Sequence, residues 1–329
     1  MKLTPGKLKG MNAVSDARGV IAAAAMDQRG SLQKALGKES GAPATTAMME
    51  EFKVAVSKAL TPHASAILLD PEYGLPAARA RAKNAGLLLA YEESGYDNTQ
   101  PGRLPDLLPH VSVRRLQADG ADCVKVLLYY TPEEDKNLND IKHAFIERVG
   151  AECRAADIPF FLEFVGYDPK GGDEKGLDFA RRKPDVVRGS MAEFTKEQYG
   201  VDVLKVEIPV NMKFVAGAAA CTGESAYTNE QAMEHFRRAA AVATKPFIYL
   251  SAGVSNAEFN ESLALAATAG TKFSGVLCGR ATWKDGIAIY AKQGLAAFEQ
   301  WLATQGRANI EAVNRSLQAA TPWHAVYGV

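Results

Sequence analysis

The chain alternates short apolar runs with stretches of helical periodicity, and it does so eight times along its 329 residues. Several of the runs are continuously apolar, which is typical of parallel strands that are covered on both faces. Eight consecutive strand–helix units favour a closed (β/α)8 TIM barrel, an α/β fold, over a doubly wound sheet. The predicted strands cover residues 20–26, 64–69, 86–90, 123–129, 159–164, 203–208, 247–250 and 273–278.

Signals between the runs indicate how the barrel is completed. Thr228 and Gln231 have the spacing of a capping box and predict the start of a helix. Residues 168–174 predict a long loop after the fifth strand, and residues 306–329 predict extra terminal helix and a tail over the outside of the barrel. Because no linker or low-complexity segment divides the chain, we expect one barrel domain over residues 1–329.

Charge and composition narrow the classes of function and partner. The 38 basic and 38 acidic residues cancel, so we expect no nucleic-acid partner. The apolar run 20–26 is too short to span a bilayer, and the N-terminal sequence lacks the apolar region of a signal peptide. These features predict no membrane partner. The four cysteines form no CxxC pair and suggest no disulfide framework, which predicts a cytoplasmic protein. Apolar helix faces would suit a homo-oligomer.

Three charged residues lie within apolar strands that follow one another in the predicted barrel. Lys125 is on the fourth strand, Glu163 on the fifth and Lys205 on the sixth. They could form a buried ion pair that merely closes the barrel, but burying three charges is costly, so we favour a functional role. A desolvated lysine is a nucleophile towards carbonyl carbon. Burial and a second ammonium lower a lysine pKa whereas a carboxylate raises it, so the resting charge of Lys205 stays open.

The ends of the last two strands carry a separate signal. Ser251 and Gly253 follow the seventh strand, and Gly279 and Arg280 follow the eighth. The loops at these positions often bind phosphate in TIM barrels, and glycine lets backbone N–H groups approach an anion. The alternative is that the glycines only form turns and that Arg280 is a surface residue. We predict a phosphate site here.

Polar residues at the end of the first strand could bind a substrate directly or could contribute to a metal site. Asp27 can orient a substrate hydroxyl, pair with a lysine or simply form a turn before Gly30. Gln28 and Arg29 are candidates for contact with a second anion. A Mg²⁺-dependent barrel lyase is a competing hypothesis, because carboxylates are the ligands that Mg²⁺ prefers. Its four carboxylates would be Asp27, Asp70, Glu72 and Glu92.

Longer motifs resemble one known family over nearly the whole chain. They lie at 26–30 (Met-Asp-Gln-Arg-Gly), 68–74, 87–92, 202–207, 250–254 and 275–283. This pattern is similar to the class I tagatose-1,6-bisphosphate aldolases. The resemblance implies a (β/α)8 barrel, no metal or organic cofactor, and reversible cleavage of a ketohexose bisphosphate into dihydroxyacetone phosphate and glyceraldehyde 3-phosphate.

The resemblance also implies residue roles. Lys205 would form the Schiff base, Glu163 would be the acid/base carboxylate, Lys125 the second active-site lysine and Asp27 the carboxylate of the first strand. The implied cradle for the C1 phosphate consists of Ser251, Gly253, Gly279 and Arg280. Aldolases for fructose bisphosphate or a sulfonated fructose phosphate share this mechanism and remain alternatives, as does a barrel that senses a sugar phosphate without catalysis.

Overall fold

A closed barrel of parallel strands forms the centre of the molecule. The structure is a computed structural model that describes residues 3–93 and 100–328. Within these residues, eight strands pair in chain order and the last pairs with the first, which confirms the predicted TIM barrel. The strands are β1 (Ile21–Met26), β2 (Ala66–Leu69), β3 (Gly86–Ala90), β4 (Cys123–Tyr129), β5 (Phe160–Val165), β6 (Val203–Val206), β7 (Phe247–Leu250) and β8 (Gly275–Cys278).

Helices surround the barrel and follow the strands along the chain. The predicted capping box is present, since Thr228 Oγ1 accepts from Gln231 N at 3.2 Å while Gln231 Oε1 accepts from Thr228 N at 2.8 Å. The helices are α1 (Pro5–Ala13), α2 (Gly30–Ser40), α3 (Thr46–Leu60), α4 (Leu75–Ala80), α5 (Val113–Ala118), α6 (Lys136–Ala155), α7 (Leu177–Phe194), α8 (Asn229–Ala241), α9 (Asn256–Thr268), α10 (Arg280–Trp283), α11 (Gly286–Gln293), α12 (Leu295–Trp301), α13 (Arg307–Ser316) and α14 (Trp323–Tyr327). No described helix combines the length and apolar character that crossing a membrane requires.

The pairing of β1 with β8 depends on a glycine. Ile21 pairs with Gly275, and a Cβ on Gly275 would lie 2.0 Å from the Ile21 carbonyl oxygen. Gly275 also has φ +135°, so its place in the seam requires glycine. The indole of Trp283 donates to the Ala25 carbonyl at 2.9 Å, which anchors the helix after β8 to β1.

The two ends of the chain close the end of the barrel where the strands begin. Met11 from α1, Val14 and Trp323 from α14 are buried together with inward-facing side chains such as Ile21 and Phe161. The prediction that the tail lies over the outside of the barrel is therefore wrong for α14. An apolar indole is excluded from water more completely beneath the barrel than on a helix surface. The loop predicted at 168–174 is confirmed.

Candidate active site

The strand register brings the three predicted strand charges together. Glu163 on β5 is the direct partner of Lys205 on β6, while Lys125 lies on β4 at the other side of Glu163. Nζ of Lys205 and Nζ of Lys125 both lie 2.8 Å from the same oxygen, Oε2 of Glu163. One carboxylate oxygen is thus shared by two amino groups.

Lys125 is enclosed by carboxylates. Its Nζ lies 2.8 Å from Asp27 Oδ2, Glu92 Oε1 and Glu163 Oε2, and its side chain is 1% exposed. Burial alone would lower the pKa of Lys125, but the charges of Asp27, Glu163 and Glu92 outweigh it and raise the pKa well above the usual value. Lys125 therefore stays charged and is a poor nucleophile.

The pKa values of Asp27 and Glu163 shift downwards, opposite to the pKa of Lys125. Burial would raise the pKa of Glu163 and of Asp27, but the nearby charges of Lys125 and Lys205 prevail and hold both pKa values below their usual range. Both groups are therefore ionised at neutral pH. An ionised Glu163 beside Lys205 is placed to accept a proton.

A cavity of about 480 Å³ opens at the end of the barrel where the strands finish. This is the face where TIM barrels carry their active sites. The strand ends of β1, β4, β5, β6, β7 and β8 all contribute to its lining. The cavity is lined by every residue predicted for the site, namely Asp27, Gln28, Arg29, Lys125, Glu163, Lys205, Ser251, Gly253, Gly279 and Arg280.

The loops after β7 and β8 meet at the predicted phosphate site. Ala252 and Gly253 have φ +46° and +80°, a tight left-handed turn. A Cβ on Gly253 would lie 2.8 Å from Cζ of Arg280, so the guanidinium lies directly over this glycine. Lys284 Nζ donates to the Gly253 carbonyl at 2.8 Å and fixes the turn. Within the described chain, Arg280 is exposed and pairs with no carboxylate.

Arg29, a candidate for contact with a second anion, forms ion pairs within the protein. Its Nη1 lies 2.7 Å from Glu72 Oε2, and its Nη2 donates to the Glu92 carbonyl oxygen at 2.9 Å. Only 4% of the side chain is exposed. Its Nη2 also lies 3.6 Å from Glu92 Oε1, so two carboxylates compensate this guanidinium and it links the ends of β1, β2 and β3. Contact of Arg29 with a second anion stays a prediction.

Several cavity residues were not singled out from the sequence. Ser31 and Lys34, on the first turns of α2, and Tyr129, at the end of β4, line the cavity. Lys34 is exposed and, within the described residues, has no carboxylate partner. The signal was available, because the helix that follows β1 starts at the catalytic face of a TIM barrel and its first turn borders the site.

The carboxylates of the competing magnesium hypothesis are separated by cations. Each pairs with a basic side chain: Asp27 and Glu92 with Lys125, Asp70 with Lys53, and Glu72 with Arg29. In residues 3–93 and 100–328, no three His, Cys, Asp or Glu side chains are grouped as metal ligands. The structure thus does not bring the hypothetical ligand set together.

Comparisons with known proteins agree with the resemblance in the sequence. A family model described as DeoC/LacD family aldolase matches residues 21–285. A tagatose 1,6-diphosphate aldolase of Listeria monocytogenes serotype 4a (strain HCC23) is 50% identical over 329 residues, with 100% of this chain and 96% of the relative covered. Tagatose 1,6-diphosphate aldolase 2 of Enterococcus faecalis (strain ATCC 700802 / V583) is 53% identical over 326 residues, covering 99% and 98%.

Solved structures with the same fold are more distant in sequence. A fructose-bisphosphate aldolase from Plasmodium falciparum, in complex with TRAP and a small-molecule inhibitor, superposes with a TM-score of 0.69 at 15% identity over 95% of this chain and 96% of the other. A Schiff-base-forming fructose-1,6-bisphosphate aldolase gives a TM-score of 0.56 at 15% identity over 92% and 98%. At this identity the two structures support the barrel fold alone.

Proposed function

The chain belongs to the DeoC/LacD family of aldolases, and from this premise we propose that it cleaves tagatose 1,6-bisphosphate through a Schiff base on Lys205. The products are dihydroxyacetone phosphate and glyceraldehyde 3-phosphate, and the reaction is reversible. One observation carries the proposal: Oε2 of Glu163 lies 2.8 Å from Nζ of both Lys205 and Lys125 on the floor of the cavity.

The two lysines have different surroundings, which supports Lys205 as the nucleophile. Lys125 contacts three carboxylates and is held as an ammonium. Lys205 contacts a single carboxylate in the described part of the chain, and it shares that oxygen with Lys125. Fewer carboxylates therefore hold Lys205 than Lys125, and Glu163 is within reach to accept a proton from the Lys205 amine.

The first half of the reaction builds an electron sink. After Glu163 has accepted a proton from Lys205, the neutral amine attacks the C2 carbonyl carbon, and one N–H proton moves from the nitrogen to the carbonyl oxygen to give a carbinolamine. Glu163 then donates a proton to the departing hydroxyl, water leaves, and an iminium remains on Lys205. Lys125 keeps Asp27 and Glu163 fixed during these steps and offers its positive charge to substrate oxygens.

The second half breaks the carbon–carbon bond. Glu163 takes the proton of the C4 hydroxyl, the C3–C4 bond breaks, and its electron pair moves into the iminium to form an enamine. The aldehyde leaves, C3 is protonated, and hydrolysis returns Lys205 and releases dihydroxyacetone phosphate. Two buried acceptors in the cavity lining, Gln28 Oε1 and Glu92 Oε2, have no partner in the described chain and suit the hydroxyls of an open-chain sugar.

The charges of the cavity lining suit a substrate with two anionic ends. Of the basic side chains in the lining, Arg29, Lys125 and Lys205 are paired with described carboxylates, whereas Lys34 and Arg280 are not. Arg280 with the turn at Gly253 would hold the C1 phosphate, which fixes C2 near the amine. Lys34 would hold the distal phosphate.

Trapping with borohydride tests the proposal directly. Reduction in the presence of dihydroxyacetone phosphate should add the mass of the reduced adduct, and peptide mapping should place it on Lys205. Activity should survive EDTA. Substrate turnover that resists borohydride but is lost with EDTA would point to a metal-dependent lyase, and tight binding of the bisphosphate without turnover would point to a sensor.

Substrate preference requires a kinetic comparison. Tagatose and fructose bisphosphates differ only in the configuration of C4, where Glu163 acts, and a sulfonated fructose phosphate differs at the distal anion. The proposal expects the highest kcat/KM for tagatose 1,6-bisphosphate. A higher value for the sulfonated substrate would reassign the substrate while leaving the Schiff-base mechanism intact.

A further inference from the structure

A further buried lysine, Lys53, lies behind the end of β1. Lys53 is on α3, its side chain is 0% exposed, and it does not line the cavity. Its Nζ donates to the Met26 carbonyl oxygen at 2.7 Å, to the Gln28 carbonyl oxygen at 2.8 Å and to Oδ2 of Asp70. Asp70, at the end of β2, also accepts from Tyr73 N at 2.8 Å, which orients its carboxylate.

The three acceptors match the three N–H donors of an ammonium. A neutral amine offers only two donors and would leave one buried acceptor unsatisfied. Burial lowers the pKa of Lys53, and Asp70 opposes this shift as its nearest charge. The geometry therefore requires the charged form, and the carboxylate of Asp70 supplies the balancing charge.

The two carbonyl groups belong to the residues on either side of Asp27. Fixing the Met26 and Gln28 carbonyls restrains the peptide groups that flank Asp27, at the point where β1 ends. The carboxylate of Asp27 then meets Lys125 Nζ at 2.8 Å through its Oδ2. Lys53 thus reaches the site through this short stretch of backbone, and its charge also helps to lower the pKa of Asp27.

We propose that Lys53 is a positioning residue that sets Asp27, and with it Lys125, for the aldol cleavage. The pair Lys53–Asp70 acts as a clamp between the ends of β1 and β2. Its effect on turnover rests on the proposed function, whereas its effect on the placement of Asp27 does not. Misplacement of a reacting group by about 1 Å costs on the order of 100-fold in rate, which sets the size of the effect expected.

Lys53→Met removes the clamp, and Lys7→Met is its matched control. Lys7 also forms a buried ion pair with an aspartate, since its Nζ lies 2.8 Å from Asp202 Oδ2, but at the opposite end of the barrel. Lys53→Met should lower kcat on the order of 100-fold with a smaller change in KM. Lys7→Met should lose stability and keep the parent kcat, when both are assayed well below their melting temperatures. Equal losses of kcat in the two variants would overturn the proposal.

A double-mutant cycle separates positioning from general damage. If Lys53 acts through Asp27, the Lys53→Met loss should shrink towards none in an Asp27→Ala background, measured as the rate of borohydride-trapped adduct. If Lys53→Met lowers the rate of adduct formation by the same factor with and without Asp27→Ala, the proposal is contradicted. Should Lys53→Met fail to fold, the double variant with Asp70→Asn removes both charges, avoids an orphaned buried carboxylate, and serves in its place.

A crystal structure of the clamp variant decides the question independently of activity. The separation of Asp27 Oδ2 from Lys125 Nζ should increase beyond hydrogen-bonding distance, from 2.8 Å here. An unchanged separation would refute positioning even if turnover fell. If the parent protein forms no adduct on Lys205, the proposed function fails, but this structural comparison still tests the role of Lys53.

Discussion

Lys205 and Glu163 are register partners on neighbouring strands, and Nζ of the first lies 2.8 Å from Oε2 of the second. Partner positions in a parallel sheet have a spacing that the backbone ladder sets, so this pair is held by the barrel wall rather than by a loop. The distance over which a proton moves between them is thus fixed before any substrate binds, which favours catalysis by orientation.

Replacing Lys205 tests the identity of the nucleophile. Lys205→Met should reduce aldol cleavage by roughly 10⁴-fold or more, since covalent catalysis is lost entirely. Borohydride with dihydroxyacetone phosphate should then add no mass. Lys7→Met, which alters a lysine of the opposite barrel end, should trap adduct as the parent does. An adduct that persists in Lys205→Met would move the Schiff base to another lysine.

Glu163→Gln keeps the shape of the acid/base group and removes its proton chemistry. We expect kcat to fall by about 10²- to 10⁴-fold with little change in KM, because the substrate loses a proton shuttle and not a binding contact. Glu207→Gln is a matched control, since Glu207 is also buried beside a lysine, with Oε1 3.1 Å from Lys183 Nζ, but does not line the cavity. A change confined to KM would argue against the acid/base role.

Lys125 should matter for stability as well as for activity. Lys125→Met leaves Asp27, Glu92 and Glu163 buried with one fewer cation, and breaking a buried ion pair typically costs about 3–5 kcal/mol. Denaturant unfolding should show that the free energy of unfolding falls by about this amount. Lys142→Met is the comparison, because Lys142 is equally buried but donates to the neutral hydroxyl of Tyr167 and should lose less. Similar losses of unfolding free energy in the two variants would mean that the carboxylates around Lys125 do not increase the cost of its replacement.

The pH dependence of stability follows from the same groups. The pKa values of Asp27 and Glu163 lie below their ordinary values of 3.8 and 4.5 in the folded chain. Their stabilising effect is therefore complete above pH 4.5 and is lost as the pH falls through the lowered values. The raised pKa of Lys125 adds stability below its ordinary value of 10.5, lost only at higher pH.

Melting temperatures measured between pH 3 and pH 7, at intervals of about half a pH unit, check this behaviour. The parent melting temperature should fall on acidification below the ordinary carboxyl pKa. In Lys125→Met, Lys205 alone of the two lysines still opposes burial at Asp27 and Glu163, so their pKa values should rise and the melting temperature should fall less on acidification. Parallel curves for the two proteins would show that Lys125 does not control these carboxyl groups.

Lys34 and Arg280, which pair with no carboxylate among the described residues, should distinguish the ends of the substrate. Arg280→Ala should raise KM for tagatose 1,6-bisphosphate and for tagatose 1-phosphate by roughly 10- to 100-fold, the equivalent of charged hydrogen bonds of about 1.5–3 kcal/mol. Lys34→Ala should raise KM for the bisphosphate alone. Lys38→Ala, an exposed lysine one turn along α2 and outside the cavity lining, should change neither. Equal effects of Lys34→Ala on both substrates would remove it from the distal site.

Local sequence patterns were enough to predict the barrel and the central residues of the site. A continuous apolar run has few structural options, and a lysine within it, such as Lys205, stands out because burial penalises charge. Residues that act through distant partners were harder to interpret. The pairing of Arg29 with Glu72 depends on how β1 and β2 are juxtaposed, which no local pattern encodes.

The sequence carries a usable signal for Lys53. It falls within the apolar face of α3, between Met49, Phe52 and Val56, so helical spacing alone placed a charge against the core. Only the fold could supply its acceptors, because Met26 and Gln28 lie on the preceding strand and its loop. The predicted position of the tail, which contains Trp323, was wrong for a related reason, since a short segment gives no direction of packing.

The pairing of β1 with β8 has a consequence for how the protein forms. β1 gains its second neighbour only from β8, since Ile21 pairs with Gly275 far along the chain, and contacts between such distant segments form slowly. Until then, β1 and β8 are open edges with unsatisfied backbone groups that can pair with another molecule. Refolding from denaturant should therefore lose yield steeply with protein concentration, and Gly275, at that seam, is the residue whose replacement should most prolong the open state.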